Sequence, residues 1–289
     1  MRKIIAIGRC GLDIIMDGAT PVCARPGGRI PNAAASLAAI GRHVSMVGEA
    51  GRDMVGDMVV GFLDRHGVDT RSVDRFTEGL TPTSLLFTPS GDTVDYPGGP
   101  DGEMDVVWPR IDRDDILIFG GYYAIDPRVR RRLYEIVAYA REREAIIIYL
   151  PGFNPREVTR ITKVMPAIFE NLELSDIAVT RPEDIKTIFG TGDADHAWRD
   201  HLSFYLPAML HADYAKGEVS LSTPSCRHAC RAIPDNGIPR LDWDAAVVAG
   251  IAESLLKEDI LYRNIADIGQ PSLDSIARHL QQHIENPQK

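Results

Sequence analysis

Short apolar runs recur along the chain at Ile4–Gly8, Val44–Gly48, Ile116–Phe119, Ile146–Tyr149, Ile177–Val179 and Val219–Leu221. Each is bounded by turn residues or helix starts, which predicts strands of a sheet buried on both faces. Helical patterns lie between them. Residues 32–40 are rich in Ala and Leu and stop at Gly41, while residues 129–143 and 244–257 have similar character. Over residues 54–66 the side chains Met54, Met58 and Phe62 recur at i, i+4, i+8, which predicts a stripe facing the core. Strand-then-helix alternation predicts an α/β fold, a doubly wound, mostly parallel sheet with helices on both faces. Two stretches break the alternation. Residues 14–26 and 81–98 read as extended segments with Gly and Pro turns, and predict a small β lid. The core domain is then residues 1–13, 27–80 and 99–289, with residues 282–289 expected to fray.

Composition narrows the function. A chain of 289 residues forms one large α/β domain or two modest ones, and 44% hydrophobic with 25% charged residues is ordinary for a globular protein. The net charge of -9, with 32 Lys and Arg not concentrated anywhere, argues against a nucleic-acid partner. The densest basic run, Arg128 to Arg132, opens a helical stretch and reads as a solvated face, with an anion contact as the alternative. The N-terminal apolar run is too short for a signal peptide or a membrane span, so no membrane partner is expected. Four cysteines in this length do not suggest a disulfide scaffold and point to a reducing cytoplasm. Cys226, His228 and Cys230 are metal-ligand types, but no second Cys/His cluster lies near to complete a site, so no metal centre is expected there.

Candidate chemistry begins at Gly27-Gly28. Two adjacent glycines let backbone approach a ligand closely and reach positive φ. Asn32 follows near a predicted helix start, where its amide can cap the helix or hydrogen-bond a polyol. Asp13, placed at the end of a buried strand, can accept hydrogen bonds from sugar hydroxyls, and ligands of open α/β sheets bind at strand carboxyl ends. The plainer alternative makes Asn32 an N-cap and Asp13 a turn residue.

The segment Gly27-Gly28-Arg29-Ile30-Pro31-Asn32-Ala33-Ala34-Ala35-Ser36-Leu37-Ala38 is followed by Val47-Gly48, Gly51-Arg52-Asp53-Met54-Val55-Gly56 and Gly67-Val68-Asp69-Thr70. In order and spacing this resembles the N-terminal signature of the ribokinase-like, PfkB-type carbohydrate kinases. Gly8 with Asp13, Pro82-Thr83 and the stretch from Asp115 to Gly121 extend the resemblance over residues 3–257. It implies ATP-dependent phosphoryl transfer to a sugar hydroxyl, with ATP and Mg²⁺ as cofactors if the protein is active. A sugar or sugar derivative would bind at Asp13, Gly27, Gly28 and Asn32. Lid sheets have an exposed face and edges that proteins cover, so a homodimer through the lid is expected, with Val22, Leu85 and Phe87 on that face.

The resemblance weakens at the phosphate side. The family's Gly-Ala-Gly-Asp offers backbone N–H groups to the transferring phosphate, and its Asp is the general base. Aligned without a gap on Ala249-Gly250, that motif falls on Asp242-Trp243-Asp244-Ala245. The base position is then Ala245, or Asp244 if the turn is one residue longer. The family's Asn-x-x-Glu falls on Arg181-Pro182-Glu183-Asp184, and its Thr-x-Gly-x-x-Gly on Asp213 to Glu218, retaining Gly217 in a shifted frame. Glu183, Asp184 and Gly217 are therefore the candidate cofactor contacts. The expected protein is a carbohydrate kinase homologue with weak or absent activity. The alternatives are a non-catalytic sugar or sugar-phosphate binder, or an enzyme of another class using Asp13, Asp53 or Glu183.

Overall fold

The computed structural model describes residues 2–88, 90, 92–100, 104–231 and 240–285, with backbone alone at 241 and 282–285. The chain divides into two units, Ile5–Arg110 and Met1–Ile4 with Ile111–Lys289. The architecture is α/β: mostly parallel sheet flanked by helices, with a separate smaller sheet.

The first unit holds β1 (Ile4–Ile7), β2 (Leu12–Asp17), β3 (Thr20–Pro26), α1 (Arg29–Ala39), β4 (Val44–Gly51), α2 (Met54–Arg65) and β5 (Asp69–Phe76). The short β6 (Gly79–Leu80), then β7 (Thr83–Thr88), β8 (Thr93–Tyr96) and β9 (Gly99–Pro100) complete it. β1, β4 and β5 lie side by side in that order, and β4 pairs with β5 in parallel. The smaller sheet has the order β3-β2-β7-β8, and β6 pairs with β9. Its register aligns Arg25, Asp13, Ser84 and Asp95 in one row across all four strands. The next row, Ala24, Ile14, Leu85 and Val94, is apolar. Successive residues of a strand point to opposite faces, so this sheet has a polar face carrying Asp13 and an apolar face carrying Leu85.

Three expectations are corrected here. The stripe Met54, Met58 and Phe62 does not face the core: Met54 is 78% exposed, and the buried positions of α2 are Gly56, Val59 and Leu63. A Cβ on residue 56 would overlap the Gly51 carbonyl, so glycine there lets the helix approach β4 on that side. Residue 54, two positions away, is then turned by about 200° onto the opposite face. The helix predicted from residue 32 begins at Arg29, which places Asn32 inside it. Asp13 does not end β1; it is the second residue of β2, and the smaller sheet begins at Leu12.

The second unit contains β10 (Ile116–Gly120), α3 (Pro127–Glu142), β11 (Ile146–Leu150), α4 (Ile161–Glu173), β12 (Ile177–Thr180), α5 (Pro182–Phe189) and α6 (Ala194–Asp200). It continues through β13 (Ala208–Asp213), β14 (Glu218–Ser222), β15 (Arg227–Arg231), α7 (Arg240–Lys257) and α8 (Gln270–Glu285). β10, β11, β12 and β13 pair in parallel, and β14 and β15 are added antiparallel. Every residue of β10, β11 and β12 is buried. Burial of each Ile or Leu side chain stabilises by about 1.5–3 kcal/mol, which is what continuous apolar strands contribute. Phe119 and Tyr149, opposite each other in the β10–β11 register, stack at 4.9 Å between centroids. The basic run on α3 is neutralised locally, Arg128 by Asp126, Arg130 by Glu170, and Arg131 and Arg132 by Glu135. Helical backbone continues to Glu285, within the stretch expected to fray, and residues 286–289 lie outside the described residues. Among the described residues no helix is long and apolar enough to cross a membrane.

Candidate functional site

In the first unit the chain brings Asp13, Gly27, Gly28 and Asn32 together. Asp13 is buried, and its Oδ2 accepts from Gly28 N at 3.2 Å. A Cβ at residue 27 would lie 2.5 Å from Asp13 Oδ1, so only glycine leaves that carboxylate its position. Gly28 has φ +81°, a backbone conformation that favours glycine. Asn32 is not the N-cap of α1; its Nδ2 donates to Pro26 O and to Gly28 O, both at 2.7 Å. The amide thus ties the glycine turn to the helix. Burial pushes the Asp13 carboxyl up to about 6, opposed by the Gly28 N–H and by the charges of Arg25 and Arg9. Ser84 Oγ donates to Asp95 at 2.6 Å in the same polar row. Arg25, Ser84 and Asp95 were not legible as neighbours of Asp13 before the strand register was known.

Asp53 is engaged by backbone and by Thr81. It caps α2 through Gly56 N at 2.7 Å and receives Thr81 N at 2.7 Å and Thr81 Oγ1 at 2.9 Å. Those bonds hold its carboxyl below the usual range although burial acts the other way. The contacts of Asp53 are those of a helix cap that also ties down Thr81.

In the second unit a single guanidinium organises the phosphate-side candidates. Arg181 precedes α5 and grips Asp184 with two nitrogens, Nη2 to Oδ1 at 2.8 Å and Nε to Oδ2 at 3.1 Å. Its third nitrogen, Nη1, donates to Asp244 Oδ2 at 3.0 Å. Glu183 sits 3.2 Å from Arg181 Nε and also pairs with Arg240. Burial acts to lower the Arg181 pKa, but Asp184, Asp244 and Glu183 overcome it and hold the guanidinium charged. The network sets two cations against three carboxylates.

Asp244 lies inside α7, which begins at Arg240, so it is not a helix-start residue as the sequence pattern suggested. Its carboxylate pairs with Arg181 instead of meeting the helix N–H groups. Asp244 Oδ1 is buried with no hydrogen-bond partner among the described residues. Ala245 and Trp243 are buried on the same helix, Trp243 edge-on to Tyr214 at 5.6 Å. Asp242 lies in the first turn of α7.

Gly217 belongs to the tight turn between β13 and β14. It has φ +60°, and its N–H donates to Tyr214 O at 3.2 Å. Asp213 opens that turn, accepting from Lys216 N and pairing with Lys216 Nζ, both at 3.1 Å. Lys216 outweighs burial and holds the Asp213 carboxyl below the usual range. Next to the Arg181 network, His211 Nδ1 meets Thr180 Oγ1 at 3.0 Å, and burial lowers the imidazole's pKa. Sequence reasoning missed His211, and it recorded Arg181 only as a lost amide. The available signal was that two departures from one pattern, Arg181 and Asp244, carry opposite charge.

A magnesium–nucleotide group fits these residues poorly. Both oxygens of Asp184 are taken by Arg181, Asp244 Oδ2 is taken by the same side chain, and Gly217 closes a hairpin. Among the described residues no three His, Cys, Asp or Glu side chains are grouped to hold a metal ion.

Comparison with known proteins gives the setting of these departures. The family described as pfkB family carbohydrate kinase matches residues 2–201. The ribokinase of Bacillus subtilis (strain 168) is 29% identical over 103 residues, 32% of this chain and 35% of that protein, so the match spans about a third of that relative. A fructokinase double mutant from Vibrio cholerae O395, in its fructose-, ADP- and potassium-bound form, superposes with a TM-score of 0.84 at 16% identity, covering 98% of this chain and 91% of that one. Aminoimidazole riboside kinase from Salmonella enterica, complexed with aminoimidazole riboside and an ATP analog, gives 0.78 at 16% identity, covering 99% and 92%. At these identities the likeness is one of fold.

Proposed function

The chain belongs to the pfkB family of carbohydrate kinases, and from that premise we propose that it is a sugar-binding member whose phosphoryl transfer is weak or absent. The observation that carries this reading is the grip of Arg181 on both Asp184 and Asp244. A general base must be free to reach the proton it removes, and its loss lowers rates by about 10²–10⁴. With Asp244 Oδ2 already accepting from Arg181, and Ala245 as the residue in the other register, the base position holds either an ion-paired carboxylate or an apolar side chain. The carboxylates of the network also face a triphosphate unfavourably, because like charges repel.

The sugar side is built differently. Asp13 offers a carboxylate held by Gly28 N–H beside a glycine turn that Asn32 ties down. A neutral sugar or sugar derivative, such as those named with the related kinases, suits hydroxyl donors aimed at Asp13. The smaller sheet then acts as a lid, and its apolar face serves a homodimer. Val94 is 44% and Tyr96 56% exposed on that face, beside the half-buried Leu85 and Phe87.

One observation favours a second reading, a working kinase. Asp244 Oδ1 is left without a partner among the described residues and offers one oxygen as a base, with ATP and Mg²⁺ as cofactors. Sugar-dependent ATP consumption separates the two readings: the first expects none above background, and the second expects turnover that Asp244→Asn abolishes.

A further inference from the structure

The antiparallel strands β14 and β15 are joined by a tight turn in which Thr223 N donates to Cys226 O at 2.9 Å. That turn presents the exposed Cys226 with three polar groups around its sulfur. His228 Nε2 is 3.1 Å from Sγ, Thr223 Oγ1 3.6 Å and Ser225 Oγ 3.7 Å. Strand alternation explains the pairing, since positions i and i+2 share a face. The neighbouring Arg227 is engaged elsewhere, with Asp195 at 2.6 Å and Glu218 at 3.6 Å. The second cysteine of the strand, Cys230, is half-buried, and burial pushes its thiol up to about 11, so it stays protonated. Two cysteines four residues apart thus sit in opposite circumstances.

We propose that Cys226 and His228 form a thiol–imidazole dyad that makes Cys226 a site of exchange with small-molecule disulfides. The thiolate, not the thiol, attacks a disulfide. His228 Nε2 is placed to take the Sγ proton, and the hydroxyls of Thr223 and Ser225 can donate to the sulfur anion that results. The Cys226 sulfur then forms a bond to one sulfur of the disulfide while the old S–S bond breaks. The second sulfur leaves as a thiolate, which the His228 proton can neutralise. The product is a mixed disulfide on Cys226, reversed by excess thiol. The proposal is independent of the sugar-binding reading.

The test uses the full-length protein, treated near neutral pH with glutathione disulfide and, separately, with an aromatic disulfide whose released thiolate is coloured. Adducts on each cysteine are quantified by peptide mass spectrometry. Cys23, exposed on β3, serves as the internal standard. Cys226 is expected to react at least about threefold faster than Cys23, because His228 Nε2 stands 3.1 Å from its sulfur to take the proton. Cys226→Ser should remove the fast phase, and His228→Gln should bring Cys226 down to the rate of Cys23. Equal rates of Cys226 and Cys23 in the unmodified protein overturn the proposal, as does a Cys226 rate unchanged in a folded His228→Gln variant. Should that variant not fold, the ratio measured in the unmodified protein decides alone.

Discussion

Replacing Arg181 by methionine removes the guanidinium but keeps the length of the side chain. Asp184 and Asp244 are 3% and 4% exposed, and both would lose the guanidinium that pairs with them most closely, leaving Asp244 the more distant Arg240 at 3.9 Å. Removing one partner of a buried ion pair destabilises by about 3–5 kcal/mol, because the remaining charge stays desolvated. Arg181 is itself only 20% exposed at its side chain, so solvent screening reduces this figure little. At about 2–4 °C per kcal/mol for a protein of this size, the melting temperature should fall by roughly 10 °C. Asp244→Asn alone should destabilise less, since Asp184 still holds Arg181 by two hydrogen bonds. In the Arg181→Met background the same Asp244→Asn change removes a buried charge left with only the distant Arg240 and should restore about 1–3 kcal/mol, the coupling expected of contacting residues. The assay is urea and thermal unfolding of the four proteins of this cycle, followed by circular dichroism. An Arg181→Met protein as stable as its parent, or an Asp244→Asn effect that is the same in both backgrounds, refutes the network as described.

Other outcomes follow from the same geometry. Asp13 and Asp176, both pushed up to about 6 chiefly by burial, bind protons more tightly folded than unfolded. Their contribution to stability is fully present below the unfolded value, about 3.9, and is lost as pH rises through about 6. Asp13→Asn should therefore remove about half of that decline and melt above the parent at pH 8, while weakening sugar binding; a decline of unchanged size counts against the assignment. Gly217→Ala places a side chain at φ +60° and should lower stability by about 1 kcal/mol without changing ligand affinity, whereas a selective loss of nucleotide affinity would make Gly217 a ligand contact. Light scattering should find a dimer at micromolar concentration that Val94→Asp and Tyr96→Asp dissociate; a monomeric parent excludes the lid interface.

The strands were largely legible because burial on both faces writes them as continuous apolar runs, as in Ile146–Leu150 and Ile116–Gly120. β5 and β15 escaped because their residues alternate or carry charge, as edge strands do, and β13 escaped although every residue is buried, because His211 and Asp213 interrupt its apolar run. The orientation of α2 was misread because side-chain size suggested a core face. Its packing is set by the absence of a side chain at Gly56, which a hydrophobic pattern does not register. On the sugar side, Gly27, Gly28, Asn32 and Asp13 were legible as a group, since three of them fall within one turn of chain. The polar row joining Arg25, Asp13, Ser84 and Asp95 was not, because it depends on the register of four strands distant in sequence. On the phosphate side, Asp244 and Arg181 were noted as separate departures. Their pairing across 63 positions of sequence became visible only when α7 and the start of α5 were placed together.

Calorimetric titration of the unmodified protein with MgATP and, in parallel, with a neutral sugar such as fructose separates a sugar binder from a working kinase. A sugar-binding protein with its phosphate side closed by Arg181 should show saturable binding of the sugar or a close derivative and no MgATP binding up to millimolar concentration, with no sugar-dependent formation of ADP. Micromolar MgATP binding, together with sugar-dependent ADP formation that disappears in Asp244→Asn, would contradict that reading and make Asp244 the base of a working kinase.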